Sequence, residues 1–458
     1  MRTFTLLLIC ALSAVGLAAQ EPAPAQQAED PTYDGKTLGE WTVLAKSRDK
    51  HNRQHAALAL GKIGPPAIPA LIELLKGKAG PTQRAARQAL KMIGPAAVPA
   101  LLELLKDKNR LIKKAAVDVL GDIGPEAGIA IPAITHLLKD KNGKKLVPLS
   151  VEEAADDALR KIGPPTIPVL IQLLQERDTS IRKTAAEALG NFGPEARTAI
   201  APLTELLTDN NEAIRVAAAL TLGKIGSEAR TAIPALTTLL RDKNADVRWV
   251  AAKVLGGLGP EATTAIQAIT ERVNDDDERV RQAAAVALGS IGPKVNTSVP
   301  TLIKLLDDKN QDVRHAAAWA LGNVGAEAAS AAPALTELLL TDNAEDFQQA
   351  AAVALGNIGP KAKSAIPTIT EWLLKHKNGS HQWVAIEALR KIGPTAIPAL
   401  SELLKNRDAD VRYYAAQALG EIGPEAKAAV PNLIELLKDD SPSVRKMASD
   451  ALETIRKK

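Results

Sequence analysis

The sequence has 458 residues, of which 46% are apolar, only 2% are aromatic and 24% are charged. Any core must therefore consist mainly of Ala, Leu, Ile and Val side chains. The net charge of +4, with both signs interspersed, is too small to form a nucleic-acid footprint. The only cysteine, Cys10, lies in the N-terminal apolar run, so we expect a mature chain without disulfides, thiol nucleophiles or thiolate metal sites.

The N-terminal stretch MRTFTLLLICALSAVGLAAQ has the pattern of a secretory signal peptide, in which one arginine precedes an apolar run and small residues. We predict a signal peptide over residues 1–19, cleaved after Ala18 or Ala19, and a flexible Pro/Ala/Gln linker over 20–35. The mature protein would be secreted or periplasmic. Lipidation of Cys10 is disfavoured because Ile9 is large for the position before it. No later apolar run reaches the ~20 residues that a membrane span needs.

The rest of the chain consists of related units that each end in a glycine. The segments KIGPP, DIGPE and NFGPE are examples, and the spacing clusters at 30 or 33 residues because long units have three more residues before the Ile-Pro. The closing glycines are Gly64, Gly94, Gly124, Gly163, Gly193, Gly226, Gly259, Gly292, Gly325, Gly359, Gly393 and Gly423. A period of this size with two helical patterns per unit predicts a solenoid.

Each unit shows the same buried pattern. Counted back from the closing glycine, position −8 is always Ala and position −4 is always Leu, as in Ala56 and Leu60. These positions share one helical stripe, and neither helix of a unit can bury its stripe alone. We therefore predict an all-α fold, an α-solenoid superhelix of about 13 helix pairs over residues 36–458. The first unit (36–64) and the last helix (443–458) are expected to cap the ends.

The segment DVRHAAAWALGNVGAEAASAAPAL, residues 312–335, and its copies resemble HEAT repeats of the short phycobilin-lyase-like type. The resemblance covers about Lys36 to Lys458. It implies a solenoid whose second helices line the concave surface, but it implies no single function because the family serves many tasks.

Catalytic chemistry has little support in the sequence. The resemblance extends to deoxyhypusine hydroxylase, which holds two irons with His-Glu pairs, but none of the six histidines here is followed by Glu. The loops DKNADV (242–247) and DKNQDV (308–313) lack the glycine and closing Glu of a calcium loop, and helix N-capping explains them better. We expect no enzyme activity, no catalytic residue, no cofactor and no metal. The histidines are His51, His55, His136, His315, His376 and His381.

Position −11 is arginine in most units. A repeated arginine beside a repeated loop aspartate is compatible with a ladder that binds ligands. We favour a structural ladder, in which each arginine donates to loop carbonyls and to an aspartate of the neighbouring unit. The predicted ladder is Arg182, Arg215, Arg248, Arg281, Arg314, Arg412 and Arg445, with Arg53 in the first unit.

One unit is longer than the others, and the charge is uneven along the chain. The insertion KDKNGKKLVPLS, residues 139–150, carries four lysines, and Ser150 with Glu153 forms a capping box for the following helix. A solvated loop is favoured over contact with an anionic surface. Residues 64–163 hold 16 Lys/Arg against 11 Asp/Glu, whereas residues 260–360 hold 7 against 14. This asymmetry either orients a partner or has no role on a solvated surface.

Large aromatic residues interrupt the alanine-rich pattern in the C-terminal half. They fall at positions −10 and −6, on the side of the second helix opposite the buried stripe. We predict that they share one concave groove that binds a protein or peptide, or a glycan because aromatic rings also stack on sugars. The predicted binding residues are Trp249, Lys253, His315, Trp319, Trp383, Glu387, Tyr413 and Gln417.

The sequence therefore favours a monomeric, non-catalytic scaffold that binds a protein or peptide, with no nucleic acid as partner. Two alternatives stay open. One is an accessory or catalytic subunit of the phycobilin-lyase or deoxyhypusine-hydroxylase kind. The other is a structural spacer, in which the aromatic rings fill gaps between the units instead of binding a partner.

Overall fold

The computed structural model describes residues 30–78, 80–138, 151–341, 344–376 and 379–457. Across these ranges the chain is helical apart from one short hairpin. It divides into two compact units, Met1–Leu101 and Leu102–Lys458. The signal peptide predicted for residues 1–19, most of the linker predicted for 20–35, the lysine-rich insertion at 139–150 and the capping box of Ser150 and Glu153 lie outside the described residues and side chains.

Unit 1 begins with an antiparallel hairpin of β1 (Thr32–Tyr33) and β2 (Lys36–Thr37). It continues with α1 (Leu38–Leu44), α2 (Lys50–Ile63), α3 (Ile68–Leu75) and α4 (Pro81–Ile93). The hairpin starts inside the segment that the sequence analysis assigned to a linker. Its pairing is too short to leave an alternating pattern, so the sequence offered little sign of it.

The hairpin covers Trp41, the buried tryptophan of α1. Trp41 is 2% exposed, its Nε1 donates to the Tyr33 carbonyl at 2.8 Å, and its ring meets the His55 ring edge-on at 5.3 Å. Thr37 and Glu40 form a capping box at the start of α1. Residues that were expected to be flexible thus cover the buried side of the first helix in unit 1.

The boundary between the units falls within α5 (Val98–Leu104). Unit 2 continues with α6 (Arg110–Ile123), α7 (Ile131–Leu138), α8 (Val151–Ile162), α9 (Ile167–Leu173), α10 (Thr179–Gly190), α11 (Ile200–Leu206), α12 (Glu212–Ile225), α13 (Ile233–Leu239), α14 (Ala245–Gly257), α15 (Ile266–Arg272), α16 (Glu278–Ile291), α17 (Val299–Lys304), α18 (Gln311–Val324), α19 (Ala332–Thr341), α20 (Glu345–Ile358), α21 (Ile366–Lys375), α22 (Gly379–Ile392), α23 (Ile397–Leu403), α24 (Ala409–Ile422), α25 (Val430–Glu435) and α26 (Pro442–Arg456).

As predicted, the closing glycines follow the second helices, directly in most repeats and after one or two further residues at α10 and α14. All twelve have φ between 54° and 91°, the left-handed region that side chains with a Cβ avoid. A 3₁₀-helix then leads into the next first helix. It has three or four residues in a short repeat, as in Pro394–Ala396, and six or seven in a long repeat, as in Gly423–Ala429. The three extra residues before the Ile-Pro of the long repeats therefore lie in this connection, and only its 3₁₀ conformation was not predicted from the sequence.

In unit 2 the even-numbered helices, which are the second helices of the repeats, pack side by side in one layer. The predicted stripe is buried; Ala317 and Leu321 of α18, for example, are fully inaccessible. Side chains in the preceding loops cap these helices, as Asn310 does by accepting from the Asp312 and Val313 amides. The layer and its caps make unit 2 an all-α solenoid.

Neighbouring second helices approach most closely at a glycine three residues before the closing glycine. A Cβ added to Gly256 would lie 2.8 Å from the Ala287 Cα, and one added to Gly356 would lie 2.8 Å from the Ala388 Cα. No side chain fits between the two backbones at these points. The sequence analysis missed this role, although the glycine recurs at the same repeat position.

Candidate functional site

The predicted binding residues lie on α14, α18, α22 and α24, and the structure places them at separate positions along the second-helix layer. Helices α16 and α20 stand between the aromatic residues, so adjacent members of the set do not all touch. The three groups are Trp249 with Lys253 on α14, His315 with Trp319 on α18, and Trp383 with Glu387 and Gln417 between α22 and α24.

The first group leaves little free aromatic surface. Trp249 is half-buried, and the Lys253 Nζ lies over its ring at 5.2 Å from the centroid. A lysine in this position makes a cation–π contact. One face of the Trp249 ring is therefore already occupied within its own helix.

Around Trp383 the space is small and the charges are paired. Trp383 is 49% exposed, but the cavity beside it measures only about 20 Å³ and is lined by Tyr414 instead of Tyr413. Arg390 donates from Nε to the Glu387 carboxylate at 2.6 Å, and this hydrogen bond lowers the pKa of Glu387. Arg390 also reaches Glu421, with Nε 3.1 Å from Oε2. A volume of this size holds about one water molecule.

The second group lines a much larger depression between α18 and α20, which we call the Trp319 groove. Its volume is about 580 Å³, in the range of ligand-binding clefts. Its lining includes Asp312, His315, Trp319, Asn323, Asp346 and Val353. Gln349, also in the lining, is close to His381, with 3.2 Å between the Nε2 atoms.

Trp319 has both a packed and an exposed side. A Cβ on Gly289, in the neighbouring helix α16, would lie 2.6 Å from Cζ3 and 2.9 Å from Cε3 of the indole. The ring therefore rests on the α16 backbone at Gly289. Trp319 nevertheless remains 41% exposed. The indole fills a gap between two repeats and presents its remaining surface to the groove.

A strip of exposed apolar side chains includes Trp319 and Val353 of the groove and one residue of the neighbouring helix α16. Val286, Trp319 and Val353 hold position −6 in three consecutive units and are 39%, 41% and 43% exposed. Other units carry Glu187, Lys253, Glu387 or Gln417 at this position. The sequence analysis singled out Trp319 alone, although a comparison of position −6 across neighbouring units would have revealed the strip.

Two carboxylates lie at the end of the groove where α18 and α20 begin. Asp312 and Asp346 are exposed, and neither has an ion-pair partner within the described ranges. Asp246 holds the equivalent position two repeats before Asp312, and it forms an ion pair with Arg279 of the next second helix at 2.8 Å. At this repeat position α14 and α16 contribute an aspartate and an arginine that form an ion pair, whereas α18 and α20 both contribute an aspartate. The sequence analysis did not identify this pair.

The ladder arginines are turned inward, away from the groove. Arg281 donates through Nε and Nη2 to both carboxylate oxygens of Asp308 in the next loop, at 2.7 and 2.9 Å. Its Nη1 donates to the Asp275 carbonyl of its own loop at 2.9 Å. Similar links to the next loop join Arg182 to Asp209, Arg215 to Asp242, Arg248 to Asp275 and Arg412 to Asp439.

The two remaining ladder arginines have other neighbours. The Arg314 guanidinium lies 5.4 Å from the centroid of the Phe347 ring, and its Nη1 donates to the Asp308 carbonyl at 3.1 Å. Arg445, in the last helix, donates to the carbonyls of Asp439 and Asp440. In every case the guanidinium binds the loop that precedes its own helix.

Pairing changes the acidity of the loop aspartates. Burial on its own would raise the pKa of Asp275 and of Asp308. Hydrogen bonds from Arg248 and Arg281, together with loop amides, outweigh burial and hold both pKa values below the ordinary 3.8. The hydrogen bond from Arg412 is the main reason that the pKa of Asp439 is also lowered. These carboxylates are charged at neutral pH and serve as fixed structural anions.

The ladder is interrupted where Gln348 and Gln382 replace the arginine. Trp372, 1% exposed, donates from Nε1 to the Gln348 side chain at 3.0 Å. His381 occupies position −12, where most repeats have Val or Ile, and is 1% exposed. Its Nδ1 has no hydrogen-bond partner within the described residues. The sequence analysis did not single out this cluster.

No group of three or more His, Cys, Asp or Glu side chains within the described part of the chain is arranged to hold a metal ion. None of the described helices combines the length and apolar character that crossing a bilayer requires.

The sequence was compared with family models and with characterised proteins. The HEAT repeat model matches eight overlapping segments, residues 34–91, 80–156, 148–210, 167–256, 233–297, 266–356, 332–412 and 397–458. The chain belongs to the HEAT-repeat family. The match does not distinguish the phycobilin-lyase-like subtype. No curated protein sequence matches this HEAT-repeat chain significantly.

Solved HEAT-repeat structures resemble the fold at low sequence identity. Kap95p with RanGDP aligns with 91% of this chain and 65% of its own, at 15% identity and a TM-score of 0.56. Importin beta aligns with 91% and 68%, at 15% identity and 0.57. Kap121p bound to the extreme C-terminus of the protein phosphatase Cdc14p aligns with 90% and 53%, at 15% identity and 0.56. The chain thus spans about two thirds of Kap95p and half of Kap121p.

Proposed function

We propose that this HEAT-repeat chain is a non-catalytic scaffold that binds a protein or peptide along the exposed face of its second helices. The observation that carries the proposal is the exposed strip of Val286, Trp319 and Val353 beside a groove of about 580 Å³. Isolated exposed apolar residues are ordinary, whereas contiguous ones beside a cleft mark interaction sites. The Trp319 groove is the centre of the proposed contact.

The fixed position of Trp319 supports this role. Contact with Gly289 restrains the indole before any partner arrives, so binding would order few additional rotamers. Tryptophan also offers a large apolar area with one polar donor, which is why it recurs in binding hot spots. The named relatives add fold-level support, since Kap95p and Kap121p were crystallised with RanGDP and a Cdc14p segment.

A structural spacer is the second candidate, and the same Gly289 contact favours it. In that case the indole serves to fill the gap between α16 and α18, and its exposed side has no partner. An accessory or catalytic subunit of the lyase or hydroxylase kind is disfavoured, because the His-Glu pairs that the hydroxylase requires do not occur in this sequence.

The proposed binding is tested by affinity capture and crosslinking with the tagged mature chain and extracts of its source cells. Val353→Glu places a charge in the groove without touching the Gly289 contact, and we expect it to abolish partner capture. Leu58→Glu is the matched control, because Leu58 holds the same repeat position in unit 1 and is 37% exposed. Circular dichroism melting verifies that both variants fold.

The outcomes separate the two candidates. Partners that are captured by the wild type and by Leu58→Glu, but lost in Val353→Glu, support the scaffold. If Val353→Glu and Trp319→Ala both retain every partner at wild-type yield, binding at this groove is wrong. A spacer instead predicts that Trp319→Ala lowers the melting temperature and changes no capture.

We further propose that the chain acts outside the cytoplasm, as a monomer, after removal of residues 1–19. The arginine, apolar run and small residues at the N-terminus support export. N-terminal sequencing of protein recovered from the periplasm or medium should begin at Ala19 or Gln20. Protein found only in the cytosol with Met1 intact would contradict this proposal.

A further inference from the structure

The charge distribution in the Trp319 groove is one-sided. Among the described residues that line it, Asp312 and Asp346 are the only fully charged ones, and none is a lysine or an arginine. At the same row two helices earlier, Asp246 is neutralised by Arg279 at 2.8 Å. The repeat geometry can therefore bring a guanidinium to this row, but α18 and α20 both supply a carboxylate. A ligand with a cationic side chain would provide the missing charge.

The charge of the surrounding sequence also favours a cationic ligand. Residues 260–360 hold 7 Lys/Arg against 14 Asp/Glu, so the region carries a net charge of about −7. Much of that charge lies on exposed acidic residues such as Asp276 and Glu278. An acidic field of this kind attracts basic partners and repels acidic ones over about one Debye length.

Farther along the groove the surface becomes apolar. Trp319 and Val353 lie on facing helices, seven residues after Asp312 and Asp346 respectively. Beyond them lies Asn323, an exposed amide with no hydrogen-bond partner within the described ranges. An amide offers both a donor and an acceptor, which matches a peptide backbone. Acid, aromatic and amide groups thus follow one another along α18.

We propose that the Trp319 groove binds an extended peptide segment in which a lysine or arginine lies two to four residues from an apolar side chain. The seven residue steps from Asp312 to Trp319 cover about 10 Å of helix, and an extended peptide covers that length in about three residues. The basic side chain pairs with Asp312 and Asp346, and the apolar one lies on Trp319 and Val353. This inference rests on the proposed function and specifies its ligand.

The test measures the affinity of the full mature chain for short, blocked fluorescent peptides by anisotropy, at low and high salt. One peptide has arginine and leucine about three positions apart in a Ser/Gly background. A second has glutamate in place of the arginine, and a third has serine in place of the leucine. We expect the first to bind at least about tenfold more tightly than the other two, with an affinity that falls as salt rises.

Asp312→Asn with Asp346→Asn removes both charges with almost no change in shape. We expect this double variant to bind the arginine peptide about tenfold more weakly and to lose most of the salt dependence. Asp410→Asn is the matched control, because Asp410 occupies the same first-turn row in α24 and is exposed outside the groove. It should bind as the wild type does, and the melting temperatures of the two neutralised proteins should agree.

Three results would overturn the proposal: equal or tighter binding of the glutamate peptide, no binding of any peptide in the set, or unchanged affinity in the double aspartate variant. The proposed function would still stand if Val353→Glu abolished capture of a cellular partner while the double aspartate variant retained it. In that case the groove binds its partner through apolar contact and not through the two carboxylates.

Discussion

The indole ring of Trp319 lies so close to Gly289 that a Cβ on the glycine would be 2.6 Å from the Trp319 Cζ3 atom. The same Cβ would also be 2.7 Å from the Ala320 Cα, so both a side chain and a backbone occupy the space. Trp319 therefore interrupts the alanine pattern at a point where the facing helix has no side chain. Because the ring lies on the α16 backbone at Gly289, one side of it is packed and the other side is exposed.

Gly289→Ala is expected to destabilise the protein by about 1–3 kcal/mol, because the added methyl forces α16 and α18 apart. Chemical unfolding followed by circular dichroism measures the loss, and tryptophan fluorescence should report movement of the indole. Gly257→Ala is the control, since a Cβ there meets nothing within 4 Å. It should leave stability unchanged or raise it, and an equal loss in both variants would contradict the close-contact argument.

Arg281→Ala should be strongly destabilising. It removes a guanidinium that is 8% exposed and leaves Asp308, 10% exposed, without its bidentate partner. We expect a loss of about 2 kcal/mol in the free energy of unfolding, and a smaller loss for Arg281→Lys, which keeps the charge but not the fork of donors. Arg279→Ala, two residues away, removes an exposed ion pair with Asp246 and should change stability little. Similar losses at Arg279 and Arg281 would show that burial does not determine the strength of the link.

Acid should weaken the ladder. The pKa values of Asp275, Asp308 and Asp439 are lowered in the folded chain, so the unfolded chain takes up protons more readily below the ordinary value of 3.8. These groups therefore stabilise the fold above that pH, and their contribution is lost as the pH falls through the folded pKa.

Melting temperatures recorded from neutral pH downward measure this effect in the wild type and in Asp308→Asn. The stability difference between the two proteins should be largest at neutral pH and should shrink as Asp308 becomes protonated. A difference that stays constant to the lowest pH would mean that Asp308 contributes through its shape and not through its charge.

His381→Val is expected to stabilise the protein by about 1 kcal/mol. Val is the usual residue at this repeat position, and the substitution removes a buried nitrogen, Nδ1, that has no partner among the described residues. It also removes the 3.2 Å contact of Nε2 with Gln349, but water can replace that contact because Gln349 is only partly buried. His376→Val is the comparison, because the His376 Nδ1 lies 2.9 Å from the Trp372 carbonyl and removing it should not stabilise. Equilibrium unfolding in urea compares the two. Destabilisation by His381→Val would assign a structural role to the imidazole.

The sequence predicts the helices well because the same pattern of apolar positions recurs in every repeat. Ala317 and Leu321 stand where every unit has Ala and Leu, so their burial follows from periodicity alone. The closing glycines mark the helix ends for an equally local reason. By contrast, the short hairpin at Thr32 and the 3₁₀ connections each consist of a few residues. They are too short to show a repeated apolar pattern from which they could be predicted.

The candidate site is predicted only in part. Repeat position places Trp249, Trp319 and Trp383 on the same side of their helices, but it gives no distance between them. That distance depends on the helices in between and on close contacts such as that of Gly356 with Ala388. The acidic end of the groove was missed because Asp312 and Asp346 look like ordinary residues of a helix first turn. Their lack of partners becomes visible only when the neighbouring helices are in place.

The interruption of the arginine ladder has a consequence for how the array comes apart. Arg281 donates two charge-assisted hydrogen bonds to the next loop. Gln382, at the same repeat position, donates one hydrogen bond to the next loop, from its neutral amide to Asp408 at 3.1 Å. A linear array unfolds as one body only when its couplings are similar in strength. The junction between α22 and α24 is therefore expected to form a weak joint, where amide protons exchange earliest and cooperative unfolding divides into two steps.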